Sequence, residues 1–282
     1  MLSSSLSRNM LSRSTKRKLA SLSIEKPSKL GRAMAPLHSA SSSAAASVNP
    51  LQAMHDALKC IPDLMSSVSK PESCPHITKC VERMNEVALH DVAIDVREFK
   101  GGKSSFCMDI VDSADHDIAI FIVPKGNKLP LHDHPGMTVL SKLLAGSLEV
   151  TSFNKAYNGA SDNVDEDEGQ GEHLYSMNTA VKTSDDPPWM LTPSHGNLHQ
   201  FRALSTCVIL DVLTPPYDEE AGRTCTYYSV KPENEEGDED GEKDGSGDVL
   251  WRIQPLPPSY VPDKQELVYN ANQHYRGTRV QL

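Results

Sequence analysis

No stretch of this sequence approaches the roughly 20 consecutive apolar residues that a membrane-spanning helix needs, so no transmembrane helix is expected. Aromatic residues are scarce, at 5%, and hydrophobic residues make up 38% of the 282. Both values sit low for a chain packed throughout, so part of it is expected to lie outside any core. None of the six cysteines, Cys60, Cys74, Cys80, Cys107, Cys207 and Cys225, belongs to a C-x-x-C pair. A structural zinc ribbon is therefore not expected. No secretory signal stands out, so no disulfide framework is implied. Basic charge is outweighed by acid over most of the chain. Residues 1–50 carry a net +7, which leaves −17 of the overall −10 for the remainder. So acidic a body would repel phosphates, which excludes a nucleic-acid partner.

Three regions differ in composition. Residues 1–48 are rich in Ser, Ala, Lys and Arg and lack the apolar content to fold alone. They read as a disordered basic tail or, from Arg8, Arg13 and Arg17, as a mitochondrial transit segment. A cytoplasmic protein is the first expectation and a mitochondrial one the alternative. Residues 49–104 predict two amphipathic helices. Asn49 caps the first and Pro50 opens it, with Leu51, Met54, Leu58 and Ile61 on one face and Pro62 ending it. The second starts near Pro75 and carries Ile77, Val81, Met84 and Val87 on one face. Both should pack on the domain that follows.

Residues 105–282 alternate short apolar runs with turn signals. Strands are predicted at 106–111, 117–123, 128–134, 137–144, 147–153, 173–178, 199–204, 207–213 and 224–230. The turns between them include Pro124–Gly126, Pro135–Gly136, Gly146 and Gly196–Asn197. That spacing argues an all-β sandwich or barrel. Five acids within 162–168 and eight within 233–244 read as solvated insertions, and the segment after 250 as extended chain wrapping the barrel.

The chemistry concentrates in two places. His132 and His134 stand two apart on a predicted strand, so their rings share a face with Asp133 on the other. Two imidazoles so placed can chelate iron, zinc, copper or nickel. A third ligand is best supplied by His199, which shares the apolar face of its strand with Phe201 and Ala203. His195 reads as a loop residue lining the entrance. His76, His90, His116, His173 and His274 read as surface or helix residues. Many barrels of this kind carry a glutamate four or five residues after the His-x-His, but Thr138 and Val139 stand there. Three neutral ligands would leave a divalent ion its full charge, which favours an anionic co-ligand such as a thiolate. Three histidines plus water also make a hydrolytic zinc site, so iron and zinc both remain open. Beyond an enzyme, the pattern admits a non-catalytic metal- or ligand-binding barrel and a zinc-dependent hydrolase or isomerase.

Residues 131–146, L-H-D-H-P-G-M-T-V-L-S-K-L-L-A-G, resemble the cysteamine (2-aminoethanethiol) dioxygenase and plant cysteine oxidase family. So do G-N-L-H at 196–199, D-V-L-T-P-P-Y at 211–217 and G-R-T-C-T-Y-Y at 222–228. The likeness runs from about Leu51 to Tyr260. It implies a cupin double-stranded β-helix, or jelly-roll barrel, with two N-terminal helices. It implies one Fe(II) held by His132, His134 and His199, with O₂ as co-substrate and oxidation of a thiol to a sulfinic acid. The substrates so implied are cysteamine or the N-terminal cysteine of proteins, the latter tied to oxygen sensing, and a monomer is implied. Asp211 would orient the substrate amine, with Tyr217 near it. Cys225 and Tyr227 match a pair that forms a thioether in some members. The plainer reading of Cys225 is a small buried hydrophobe. Two positions depart from the family pattern: His195, where a small residue is expected, and Thr214, where glycine is usual.

Overall fold

The computed structural model describes residues 49–59, 74–156, 174–232, 249–260, 267–268, 275–277 and 279–281. The basic tail, Pro62, His173, His274 and both acidic insertions lie outside the described residues. Two helices, α1 (Pro50–Lys59) and α2 (Pro75–Glu86), and a 3₁₀ turn at Val96–Phe99 precede the strands. The strands are β1 (Ser105–Asp112), β2 (Asp117–Val123), β3 (Lys128–His132), β4 (Thr138–Ala145), β5 (Ser147–Lys155) and β6 (Leu174–Thr183). They continue with β7 (Trp189–Leu191), β8 (Leu198–Ala203), β9 (Cys207–Thr214), β10 (Tyr228–Pro232), β11 (Trp251–Pro255) and β12 (Leu267–Val268).

These strands make two six-stranded sheets, in the orders β12-β1-β2-β9-β4-β7 and β10-β11-β6-β5-β8-β3. The antiparallel pairs are nested: β5 with β6, β4 with β7, β3 with β8 and β2 with β9. This is one long hairpin rolled up so that its strands fall on two sheets. The rolling adds the β4–β9 and β5–β8 pairs. The result is the double-stranded β-helix of the cupin fold.

Burial explains the apolar patterns. β2 and β9 are buried on both faces, so they read as unbroken apolar runs. Their inner residues, among them Phe121 and Ile209, meet Leu148, Val150 and Phe201 of the second sheet. Their outer residues, Ile118, Ile120, Ile122, Val208, Leu210 and Val212, meet Leu51, Met54 and Leu58 of α1 and Ile77, Cys80 and Met84 of α2. Asn49 Oδ1 accepts from Leu51 N at 3.0 Å at the start of α1. The far end of α2 is held by the barrel itself. Lys142 of β4, nearly buried, donates from Nζ to Asn85 O at 2.6 Å and to Val87 O at 2.8 Å. A cation there meets the negative end of the helix. Gly146 joins β4 to β5 at φ +99°, where a Cβ would lie 2.5 Å from Thr206 O, so no larger residue fits that turn.

Five strand expectations need correction, the first being β6, which runs on to Thr183 rather than ending at 178. β3 stops at His132 rather than 134, because Asp133 N bonds to Thr226 O and His134 N to the Asn197 side chain. β10 starts at Tyr228 rather than 224, because Thr226 N is taken by the Asp133 carboxylate. β7 has three residues between Pro188 and Pro193, too few to show a period. The segment after 250 contains strands: β11 pairs with β10 and β6, and β12 runs parallel to β1.

Candidate metal centre

His132 ends β3 and pairs in register with His199 near the start of β8, so their rings leave neighbouring strands on the inner face. His134 lies two residues past the end of β3, at the edge of the Pro135–Gly136 turn, and swings its ring to the same point. The three ring centroids are 4.6 to 5.0 Å apart. The three candidate ligand atoms lie within 4.8 Å of one another, and all three residues are buried.

Hydrogen bonds at the back of each ring decide which nitrogen faces inward. His132 Nδ1 is 2.7 Å from Pro130 O, and His199 Nδ1 is 3.3 Å from Asn197 O. Each carbonyl can only accept, so both rings carry their proton on Nδ1. Tyr217 donates its single hydroxyl proton to Asp133 O at 2.7 Å, which leaves its oxygen to accept from His134 Nδ1, also at 2.7 Å. All three rings therefore carry their lone pair on Nε2. His134 Nε2 is a buried nitrogen with no hydrogen-bond partner. Burial keeps the rings neutral. It pushes His132 down to about 4, and it pushes His134 and His199 well below the usual imidazole value, helped by the neighbouring rings. A buried, unpartnered imidazole nitrogen facing two others is an arrangement that a cation resolves, and the residues fit a metal ion.

The space in front of the rings is a small pocket open to solvent. Phe121, Leu129, Phe201 and Leu213 give it apolar walls, and Asp211 and Tyr227 also line it. Asp211 points inward because it shares the β9 face of Ile209 and Leu213. It sits opposite Ser141 in the β4–β9 register. Burial pushes its carboxyl up to about 7, partly offset by the Ser141 hydroxyl, and its Oδ1 has no hydrogen-bond partner.

The other sequence candidates fall around this pocket. Tyr217 stands behind His134 rather than in the pocket, and burial pushes its phenol well above the usual range. Cys225 is buried beside the hydroxyls of Tyr217 and Tyr227, and burial pushes its thiol up to about 12. His195 is exposed in a tight turn with Thr192 and does not line the pocket, which corrects its place at the entrance. His116 is not a surface residue. It is buried between α1 and the β1–β2 turn, with its Nε2 2.9 Å from Nδ1 of His55. Sequence reasoning passed over Asn197, whose side chain bonds the main chain of His134. The sequence places Asp133 on a face and assigns it no role. Its carboxylate holds Thr226 N and the Tyr228 hydroxyl, each at 2.8 Å. The only signal for Asn197 was the Gly-Asn turn, which predicts a bend but not its partner.

The PCO_ADO family model matches residues 83–279. Among curated proteins, the chain is 34% identical over 154 residues to the "Probable 2-aminoethanethiol dioxygenase" of Dictyostelium discoideum. That match covers 52% of this chain and 68% of that protein. It is 35% identical to "Plant cysteine oxidase 1" of Arabidopsis thaliana, over 44% of this chain and 41% of that one. It is 34% identical to the "2-aminoethanethiol dioxygenase" of Mus musculus, over 44% and 53% respectively. The match thus spans about half or less of the plant and mouse proteins. Among solved structures, a cupin superfamily protein of Desulfitobacterium hafniense matches at 12% identity with a TM-score of 0.29, over 41% of this chain and 81% of that one. That likeness is too slight to carry an argument. The sequence match, by contrast, runs from α2 through the barrel and takes in all three converging histidines, and the chain belongs to the PCO_ADO family.

Proposed function

We propose that this protein is a thiol dioxygenase that uses Fe(II) and O₂ to convert a free thiol beside an amine into a sulfinic acid. The observation that carries the reading is the convergence of three neutral, buried imidazoles with no carboxylate among them. His132, His134 and His199 would hold the ion through Nε2. When bound, iron supplies the positive charge that favours a thiolate and the electrons that make O₂ reactive. The protein's own groups do the rest. Pro130 O, Asn197 O and the Tyr217 hydroxyl fix the three ring orientations. Phe121, Leu129, Phe201 and Leu213 exclude water from the sulfur. Asp211, with one carboxylate oxygen unpaired, receives the substrate ammonium.

In the overall reaction the thiol proton is retained and both atoms of O₂ end on sulfur. Sulfur gives up four electrons and O₂ takes up four, so no further reductant is needed. The names of the Dictyostelium, mouse and plant relatives support two substrate classes, cysteamine and cysteine. Here they are a small aminothiol and the N-terminal cysteine of a peptide.

The test is thiol-dependent O₂ consumption by iron-loaded protein, with mass spectrometry of each substrate. A gain of two oxygen atoms on cysteamine or on a Cys-initiated peptide is expected. The gain should be absent with His199→Ala. Turnover by that variant at the wild-type rate, or no O₂ uptake by the iron-loaded wild type, would overturn the proposal.

A further inference from the structure

We infer that Asn197 is a positioning residue that locks the second and third histidines of the centre into one geometry. The inference rests on the three-histidine metal reading and adds a residue to it. His134 has left β3, so no neighbouring strand holds its main chain; within its own turn it accepts only from Met137 N at 3.1 Å. Asn197 takes the place of the strand. Its Oδ1 accepts from His134 N at 3.0 Å, and its Nδ2 donates to His134 O at 2.7 Å and more weakly to Thr192 O at 3.5 Å. The same residue's backbone carbonyl faces His199 Nδ1 at 3.3 Å. One residue thus grips His134 through its side chain and His199 through its main chain.

The turn that presents Asn197 is itself pinned. Gly196 adopts φ +66°, and its N–H donates to Asn154 Oδ1 of β5 at 2.7 Å. Because His134 offers a donor and an acceptor side by side, the amide fits in one orientation only. An aspartate of the same shape would set an acceptor against His134 O. A serine would be too short to reach both groups. Residues that orient metal ligands typically change metal affinity about 10- to 100-fold when removed.

The experiment compares wild type, N197D and N197S. Each is titrated anaerobically with Fe(II) and with Co(II) in competition with a chelator. The visible d–d bands of the Co(II) forms and the thermal stability of the metal-free forms are recorded alongside. A metal dissociation constant raised about 10- to 100-fold, together with altered Co(II) bands, is the expected result for both variants. Wild-type affinity and bands in either folded variant would overturn the assignment. So would a loss of affinity that tracks lower metal-free stability while the bands stay unchanged. N197S introduces no charge and decides the matter alone if N197D does not fold. Failure of the wild type to bind either ion would instead remove the metal reading on which the assignment stands.

Discussion

At the scale of single residues, the site depends on where protons sit. Tyr217 has one hydroxyl proton and gives it to Asp133 O, so its oxygen can accept from His134. Tyr217→Phe removes that acceptor and leaves His134 Nδ1 unpaired in a buried place. Metal affinity should fall about 10- to 100-fold, read by chelator competition, with the pocket walls unchanged. Asp211 carries two separable expectations. With an amine-bearing thiol, Asp211→Asn should lower kcat/KM by about 10- to 100-fold, the worth of one charge-assisted hydrogen bond. A thiol without an amine should be turned over about as before. The second expectation concerns stability of the metal-free protein. A carboxyl raised from its ordinary value to about 7 binds its proton more tightly in the folded state. Its stability is therefore full below the ordinary carboxylate pKa and is lost as pH rises toward about 7. Asp211→Asn should then stabilise the metal-free protein at pH 8, by up to about 4 kcal/mol, and have little effect near pH 4. Urea denaturation at the two pH values measures the difference.

At the scale of elements, the helices are bound to the barrel by apolar contact and by polar fastenings, among them Lys142 and the His55–His116 pair. Lys142 is the first. Lys142→Met strands the buried carbonyl of Val87 and frees the partly exposed one of Asn85, and should cost about 1–3 kcal/mol. Hydrogen exchange should localise the loss to α2. The second fastening joins α1 to the β1–β2 turn through His55 and His116. Ser113 donates to His116 O at 2.6 Å, so its oxygen is an acceptor for His116 Nδ1 at 3.4 Å. That leaves His116 Nε2 to accept from His55 Nδ1, and His55 Nε2 buried without a partner. A further proton has no acceptor. Burial, then Lys59, holds the His55 pKa below its ordinary value, against a smaller opposing pull from Asp56. A lowered histidine pKa means the unfolded chain takes up a proton that the folded chain refuses. Stability is thus lost as pH falls below about 6.5. The histidines of the centre contribute in the same direction, so the variant isolates the seam. His55→Gln should flatten the fall in melting temperature between about pH 7 and 5 relative to wild type. Identical profiles would show that the seam does not titrate.

At the scale of the whole molecule, the three-histidine cluster ties together segments that are distant along the chain: the β3 end, the Gly196–Asn197 turn and, through Asp133 and Tyr217, residues 217–228. A metal bound by the folded form alone should stabilise the protein by about 2.7 kcal/mol at 100 times its dissociation constant. For a domain of this size that raises Tm by roughly 5–10 °C. A chelator should reverse the shift, and His199→Ala should show none; differential scanning fluorimetry under anaerobic conditions reads both. Much of this molecule was legible in one dimension. The unbroken apolar runs of β2 and β9 and the alternation of β8 carry their burial pattern, because burial on one face or two leaves its period in the residues. His199 was legible for the same reason, and His132 with it, whereas His134 lies beyond the end of β3 and reaches the same point through its turn and Asn197. What folding alone decided is everything that depends on two distant segments meeting. Asn197 clasping His134, Tyr217 standing behind it, Asp133 holding residues 226–228 and His116 finding His55 are all of this kind. A side chain's sequence neighbours fix the direction in which it points, but only the packed chain fixes what waits there to share its proton.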